Sequence, residues 1–347
     1  MKRIKIFLGG YITYTNAQNL NCRAIAQHLN KSRFDVYALQ THFGKNENFD
    51  INTFNCFMPF YVSKHFGFLW GILSCDVAYL PKHIDTPFWV LKLSNLLKKP
   101  IFTTIEGNVV DRGKANLIDL FGNEFLVQKY FKYFDKIFAI TKHLSKQSNQ
   151  LVTIDNNPLF LGVNYDSFTL NKIKTELKQI VFVGGIIKRK RVEEVVELAK
   201  HFSALSFVIV GEGVQREQLE NTSPENVEFL GKLPHKEIRE VFKKSDLHFL
   251  PSRSEGFPKV ILEAASAGIP SMVYKDYGAS DWMRDKYNGF IISDFDQAIS
   301  LVKELVKKPE LLEKTSKNAK TLAKSYDWKV LIKDWEKVIV ELVDEKL

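Results

Sequence analysis

Apolar residues fall in short runs separated by longer stretches of helical periodicity, and that alternation sets the reading of the chain. Residues 4–8 (Ile-Lys-Ile-Phe-Leu) predict a first strand, closed by Gly9-Gly10 as a tight turn that lets backbone approach a ligand. Residues 16–29 predict a helix with Leu20, Ala24, Ala26 and Leu29 facing inward, and 34–39 a second strand. Strand, glycine turn, helix, strand opens an α/β unit, here without a GxGxxG fingerprint. Strands follow at 77–80, 100–105 and 136–140. Between them the pattern predicts helices at 86–97 and 117–134, and a short one capped by Thr141. In the first of these, Thr86 reads as N-cap and Pro87 as the first helical residue. The strand at 100–105 ends at Glu106-Gly107-Asn108, where an open α/β sheet collects its ligands. Residues 159–164 close the first half.

A polar run, 171–179, reads as a linker, and a second Rossmann-like unit starts afresh. Strands are predicted at 180–183, 205–210, 227–229, 247–250 and 290–292. Helices are predicted at 191–202, 234–244, 260–267, 296–307 and 310–324. The tail, 328–343, carries Trp328, Leu331, Ile332, Trp335, Val338, Ile339 and Leu342 at helical spacing, the pattern of a plain packing helix.

Composition changes little. Hydrophobic residues at 45% and charged residues at 26% of 347 are globular values for about two domains. Cys22, Cys56 and Cys75 are scattered, which indicates neither a disulfide framework nor a zinc site and fits a reducing cytoplasm. The most apolar stretch, 66–75, is about half a membrane span. Charge does change the picture. Residues 1–165 hold 19 Lys and Arg against 11 Asp and Glu, whereas 166–347 hold 30 against 29. A basic first half suits an anionic membrane surface or an anionic substrate, or is simply a soluble basic surface. Nucleic acid is disfavoured, since strands of the RNA-binding aromatic type are missing.

The chemistry concentrates in 252–270. Glu255-Gly256-Phe257-Pro258 forms a loop before a helix that Gly268 and Pro270 stop, and Glu263 follows Glu255 after seven residues. Helix N-terminal amides favour anions, and a carboxylate there accepts from sugar or ribose hydroxyls. The bland alternative is a strand-loop-helix with two surface glutamates. The spacing resembles the E-x7-E signature of retaining glycosyltransferases of family 4, which have the GT-B fold.

The resemblance covers most of the chain and is strongest at 180–292. Val181-Phe182-Val183-Gly184-Gly185, with Lys188-Arg189-Lys190, resembles the family's phosphate loop. It implies diphosphate contacts from Lys190 and Arg189, with Gly185 where relatives carry Arg. Val208 to Gly213, including Gly211 and Glu212, and Phe229 to Pro234, including Leu233, resemble the segments around the nucleotide. Glu255 matches the glutamate near the donor sugar, and Glu263 the one that binds ribose hydroxyls. Gly256, Phe257 and Lys259 fall in the same donor wall. Pro258 stands where many relatives have Gly, a recognisable Glu-Gly-Phe-Pro subtype. Gly278 and Asn288-Gly289-Phe290 continue the family's order. In the first half Gly9-Gly10 fits the glycine loop, with Gly10 at the donor, and Glu106 replaces a His that contacts the donor sugar.

The resemblance implies an α/β GT-B architecture, two Rossmann-like domains facing a central cleft with a C-terminal helix crossing back to the first domain. The implied domains are 1–165 (plus 327–347), for the acceptor, and 166–326, for the donor nucleotide. Glu255, Lys190 and Glu106 are the implied catalytic residues. The implied reaction moves a hexosyl group, with retention, from a nucleotide diphosphate sugar, UDP-linked, to a glycan or lipid-linked acceptor. It needs no metal or other cofactor. Asp294-Phe295-Asp296 mimics a metal motif but precedes a helix, so capping is its reading. The expected location is cytoplasmic, peripheral on the inner membrane face. Alternatives are a sugar-nucleotide epimerase of the same fold and a non-catalytic nucleotide-sugar-binding protein.

Overall fold

The computed structural model describes residues 2–14, 16–41, 50–107, 116–170 and 173–346. Asn108 and the first two residues of the predicted 171–179 linker lie outside the described residues. The chain forms two compact units, Met1–Gly162 with Trp328–Leu347, and Val163–Asp327.

In the first unit the order is β1 (Ile4–Tyr11), α1 (Ala17–His28), β2 (Phe34–Thr41), β3 (Asn52–Cys56), α2 (Phe60–Ser74) and β4 (Val77–Tyr79). Then come α3 (Phe88–Leu96), β5 (Ile101–Ile105), α4 (Leu117–Phe121), α5 (Glu124–Phe131), β6 (Lys136–Ala139) and α6 (Lys142–Ser148). The six strands pair in the order β3-β2-β1-β4-β5-β6, every pairing parallel. A parallel sheet is covered by helices on both faces, which is why Ile6, Phe7, Leu8, Val77, Ala78 and Tyr79 are all fully buried and read as runs rather than alternation.

The second unit has α7 (Tyr165–Phe168), β7 (Gln179–Val183), α8 (Glu193–Lys200), β8 (Ser206–Val210), α9 (Arg216–Asn221) and β9 (Val227–Gly231). It continues with α10 (His235–Lys244), β10 (Leu247–Leu250), α11 (Lys259–Ser266), β11 (Ser271–Tyr274), β12 (Phe290–Ile292), α12 (Phe295–Lys307) and α13 (Pro309–Ser325). Its strand order, β12-β11-β10-β7-β8-β9, is again all parallel and repeats the first unit's topology. Each sheet reverses strand order once, between β1 and β4 and between β7 and β10. Such switch points are where doubly wound sheets bind ligands, beyond the carboxyl ends of the strands.

The last helix, α14 (Trp328–Asp344), completes the first unit. Trp335 is fully buried, meets Tyr79 edge-on at 5.0 Å between ring centroids, and donates its indole N–H to the Phe160 carbonyl at 3.0 Å. Asp294 accepts from the Gln297 amide at 2.9 Å and caps α12, so the acidic pair there is structural.

Four expectations are corrected. Gly9-Gly10 is no turn: both lie inside β1, whose pairing with β2 shifts register between Leu8 and Tyr11. Thr86 does not cap α3. Its hydroxyl donates to the Lys82 carbonyl at 2.8 Å, and Pro87, with extended backbone, takes the N-cap position. The predicted 117–134 helix breaks into α4 and α5, because Gly122 adopts a positive φ of 96° and Asn123 caps a new helix by accepting from Leu126. Strands β3 and β11 were not foreseen. β3 is polar and sits at the sheet edge, and β11 has only four residues, directly behind a Gly-Ile-Pro stop.

Candidate functional site

At the switch point of the second unit, β7 ends at Val183 and the chain passes Gly184-Gly185 into a single 3₁₀ turn, Lys188–Lys190. Arg191 closes that turn in the left-handed region, at φ 53°. The neighbouring strand β10 ends at Leu250 and feeds the loop that carries Glu255 to the start of α11. Two loops distant in sequence therefore meet. The Lys190 ammonium donates to Glu255 Oε1 at 2.6 Å, and Arg189 reaches the same oxygen at 3.1 Å. Arg189 also donates to the Ser254 carbonyl, and the Ser252 hydroxyl lies 3.3 Å from the Arg189 carbonyl. The Glu255 side chain is only 9% exposed. Burial by itself would raise its carboxyl pKa, but Lys190 and Arg189 outweigh burial and hold it below the usual carboxylate range. Burial lowers the Lys190 ammonium, and Glu255 only partly offsets that.

Helix α11 offers its open N-terminus beside this cluster. Pro258 is the N-cap, and no side chain caps the first turn. The helix dipole there favours an anion. One turn along, Lys259 and Glu263 share a face at i and i+4. Burial raises the Glu263 carboxyl, with His235 and Lys259 pulling the other way. His235, the first residue of α10, is thus a member of the site's surroundings that the sequence did not single out.

The remaining glycines and apolar residues of this wall shape it. Gly211 has φ 149°, and a Cβ there would run into the Gly184 carbonyl, so only glycine lets the two loops lie this close. Gly185 lies open on the same edge, its nearest neighbour for a Cβ being the Glu212 carbonyl at 3.9 Å. The Glu212 carboxylate turns to Arg216, leaving its backbone carbonyl to accept from Ile186 at 2.9 Å. Leu233 packs on the core of the second unit. Phe257 is buried against Trp282 and Tyr326, at 5.2 and 5.5 Å, so its ring anchors the loop while Gly256 precedes it.

A second set of residues braces the cluster and was not foreseen. The Tyr274 hydroxyl donates to the buried Glu194 carboxylate at 2.6 Å, Arg191 pairs with the same carboxylate, and Arg253 stacks over the Tyr274 ring at 4.7 Å. Arg191 and Arg253 stand close in sequence to Lys190 and Glu255, so this set ties the two loops to Glu194 and Tyr274. No motif announced it, since Glu194 and Tyr274 are 80 residues apart.

In the first unit, Glu106 lies just past the end of β5. It accepts from Asn21 at 3.0 Å and lies 3.4 Å from the Tyr79 hydroxyl and 3.3 Å from that of Thr104. Gly10 sits at the end of β1, where a Cβ would stand 2.6 Å from Cys22 Sγ of α1. Its role there is close helix-strand packing. The first unit thus holds Gly10 in β1 and Glu106 just past β5, with β4 between the two strands; Cys22 of α1 lies at Gly10 and Asn21 of α1 bonds Glu106. Among the described residues, no group of three or more His, Cys, Asp or Glu is arranged to hold a metal ion.

Residues 166–322 match the family model described as Glycosyl transferases group 1, nearly the whole second unit. An uncharacterized glycosyltransferase of Methanocaldococcus jannaschii is 24% identical over 246 residues, 66% of this chain and 69% of that protein. A Campylobacter jejuni enzyme, N,N'-diacetylbacillosaminyl-diphospho-undecaprenol alpha-1,3-N-acetylgalactosaminyltransferase, is 25% identical over 317 residues, 81% of each chain. Among solved structures, Anabaena HepE in complex with UDP and glucose superposes with a TM-score of 0.78 at 14% identity, covering 98% of this chain and all of that one. The fold is GT-B, and the second unit matches the group 1 glycosyl transferases.

Proposed function

We propose that this chain is a retaining, metal-independent hexosyltransferase. It would move the sugar of a nucleotide diphosphate sugar, UDP-linked, to a hydroxyl of a glycan or lipid-linked acceptor in cell-surface polysaccharide or lipopolysaccharide synthesis. The observation that carries the reading is the convergence of Lys190, Arg189 and Glu255 beside the open N-terminus of α11. Two cations and a helix terminus suit a diphosphate. The name of the Campylobacter jejuni relative, with its diphospho-undecaprenol acceptor, supports a lipid-linked substrate. The UDP and glucose in the HepE complex support the donor.

In this reading Lys190 and Arg189 exchange Glu255 for phosphate oxygens when the donor binds. As the bond from the anomeric carbon to the phosphate oxygen breaks, negative charge grows on the diphosphate. Fixed cations and amides stabilise it without reorganising. Glu255, released from its pairing, orients the sugar hydroxyls and faces the positive charge at the anomeric carbon. The acceptor hydroxyl attacks from the leaving-group side and passes its proton to the departing phosphate oxygen. Glu263 holds the ribose hydroxyls.

The test is incubation of UDP-hexoses with a lipid-diphosphate acceptor analogue in the presence of EDTA. UDP release is expected, with a product whose anomeric configuration, read by NMR, equals the donor's. Inversion would end the retaining assignment. An epimer formed from donor alone would make the protein an epimerase, and absence of UDP release with every acceptor would leave a binding module.

A further inference from the structure

Tyr277 carries a buried hydroxyl that no neighbour uses. The residue ends a single 3₁₀ turn, Lys275–Tyr277, closed by Gly278 in the left-handed region at φ 72°. It is 2% exposed, and its hydroxyl has no hydrogen-bond partner among the described residues. A hydroxyl taken out of water without a partner destabilises the fold, so a native one in that condition points to a partner met in another state.

The fold sets this residue against the loop that carries Glu255. Strands β10 and β11 pair in parallel, so the loop leaving Leu250 and the turn leaving Tyr274 emerge side by side. Two contacts fasten them together. Arg253 lies over the Tyr274 ring at 4.7 Å and reaches the Asp276 carboxylate at 3.5 Å, and Phe257 meets Trp282 at 5.2 Å between ring centroids. Glu255 therefore lies between the two anchors of its own loop, and Tyr277 lies between their partners, Asp276 and Trp282. The electrostatics agree: burial raises the Tyr277 hydroxyl well above its ordinary value, and the charges that raise it further are Glu255 and then Asp276.

Glu255 has two cations in this structure and gives them up in the reaction proposed above. Lys190 and Arg189 both meet its Oε1, and together with the Ser252 hydroxyl they hold it ionised against burial. Once both cations turn to phosphate oxygens, a carboxylate this buried takes up a proton unless another donor replaces them. A phenol suits that task. It stays protonated at any working pH here, and its bond to a carboxylate is charge-assisted.

We propose that Tyr277 is the positioning residue of Glu255: as Lys190 and Arg189 pass to the donor's diphosphate, the Tyr277 hydroxyl donates to the Glu255 carboxylate and keeps it charged and aimed at the sugar. The exchange of partners rests on the hexosyltransferase reading. Its stability test needs neither donor nor acceptor, so the two can fail separately.

The experiment is a double-mutant cycle on melting temperature. In the wild-type background Tyr277→Phe should leave the transition unchanged or raise it, because it deletes a hydroxyl without a partner. Lys190→Met keeps the stem of the side chain and removes the charge that holds Glu255. In that background Tyr277→Phe should lower the transition by roughly 4 °C, the size of one charge-assisted hydrogen bond in a unit of this length. The same change in both backgrounds would overturn the proposal, since the ring alone would then account for it. Turnover gives the second measurement. Tyr277→Phe should lower kcat about tenfold at unchanged KM and move the acid limb of the kcat profile up by about one pH unit, because Glu255 loses the donor that favours its ionised form. An acid limb that stays in place, or a loss carried by KM alone, would make Tyr277 a packing or substrate-binding residue instead.

Discussion

Glu255 and Lys190 were each singled out through the resemblance, one as the first glutamate of the E-x7-E pair and the other as the lysine of the phosphate loop. That they touch was not. The contact joins residues 65 apart through the adjacency of β7 and β10, which no local pattern encodes. The pairing has a consequence for mutants. Lys190→Ala leaves a nine-tenths buried carboxylate with Arg189 as its remaining cation, and breaking a buried pair costs about 3 kcal/mol or more. Denaturant unfolding should show that loss, and Lys190→Ala/Glu255→Ala should recover much of it. Turnover should fall about a hundredfold in Lys190→Ala, the cost of removing one preorganised charge-stabilising group. Stability equal to wild type in the single variant would mean the pair is not buried as described. Glu106 is the converse case. Its position at a strand end was legible, but beside Thr104 of its own strand its partners Asn21 and Tyr79 come from two other elements, α1 and β4.

Most elements were readable because a parallel sheet buries its strands on both faces and leaves continuous apolar runs. The exceptions have local causes. β3 is a polar edge strand, β11 is too short to show a period, and α2 hid because it is apolar on both faces and so has no amphipathic signature. At this scale α11 carries a titratable consequence. Burial raises the Glu263 carboxyl, so the fold favours its neutral form. The stability this contributes is fully present below the unfolded carboxylate pKa and is lost as pH rises through the folded value. Glu263→Gln mimics the neutral form. Its melting temperature should match wild type near pH 4 and exceed it near pH 8, roughly either side of the carboxylate range. Nucleotide affinity, read by calorimetry, should fall in the same variant. A pH-independent difference in melting temperature would show that titration of Glu263 is not the cause.

At the scale of the molecule the first unit is assembled from both ends of the chain. The periodic tail predicted a packing helix, and its partner is the sheet of the first unit, where Trp335 fills the space beside Tyr79 and Phe102. Trp335→Ala should cost about 3–5 kcal/mol, as for a fully buried aromatic, and should lower the unfolding transition of the first unit while that of the second is unmoved. Fluorescence and calorimetric scans compared between the two proteins would check it, and a shift confined to the second unit's transition would refute the assignment of α14. By itself the sequence determined the repeated α/β alternation, the lopsided charge and the two loops that carry the candidate chemistry, because strand burial, charge and glycine-bounded turns are local or additive properties. Only the tertiary structure decided which of those residues meet: that Lys190 faces Glu255, that Glu194 and Tyr274 brace them, that Gly10 is a packing glycine inside a strand, and that α2 turns an apolar face outward. Each of these depends on strand order and on which face a helix buries, and both are settled by packing between segments far apart in the chain.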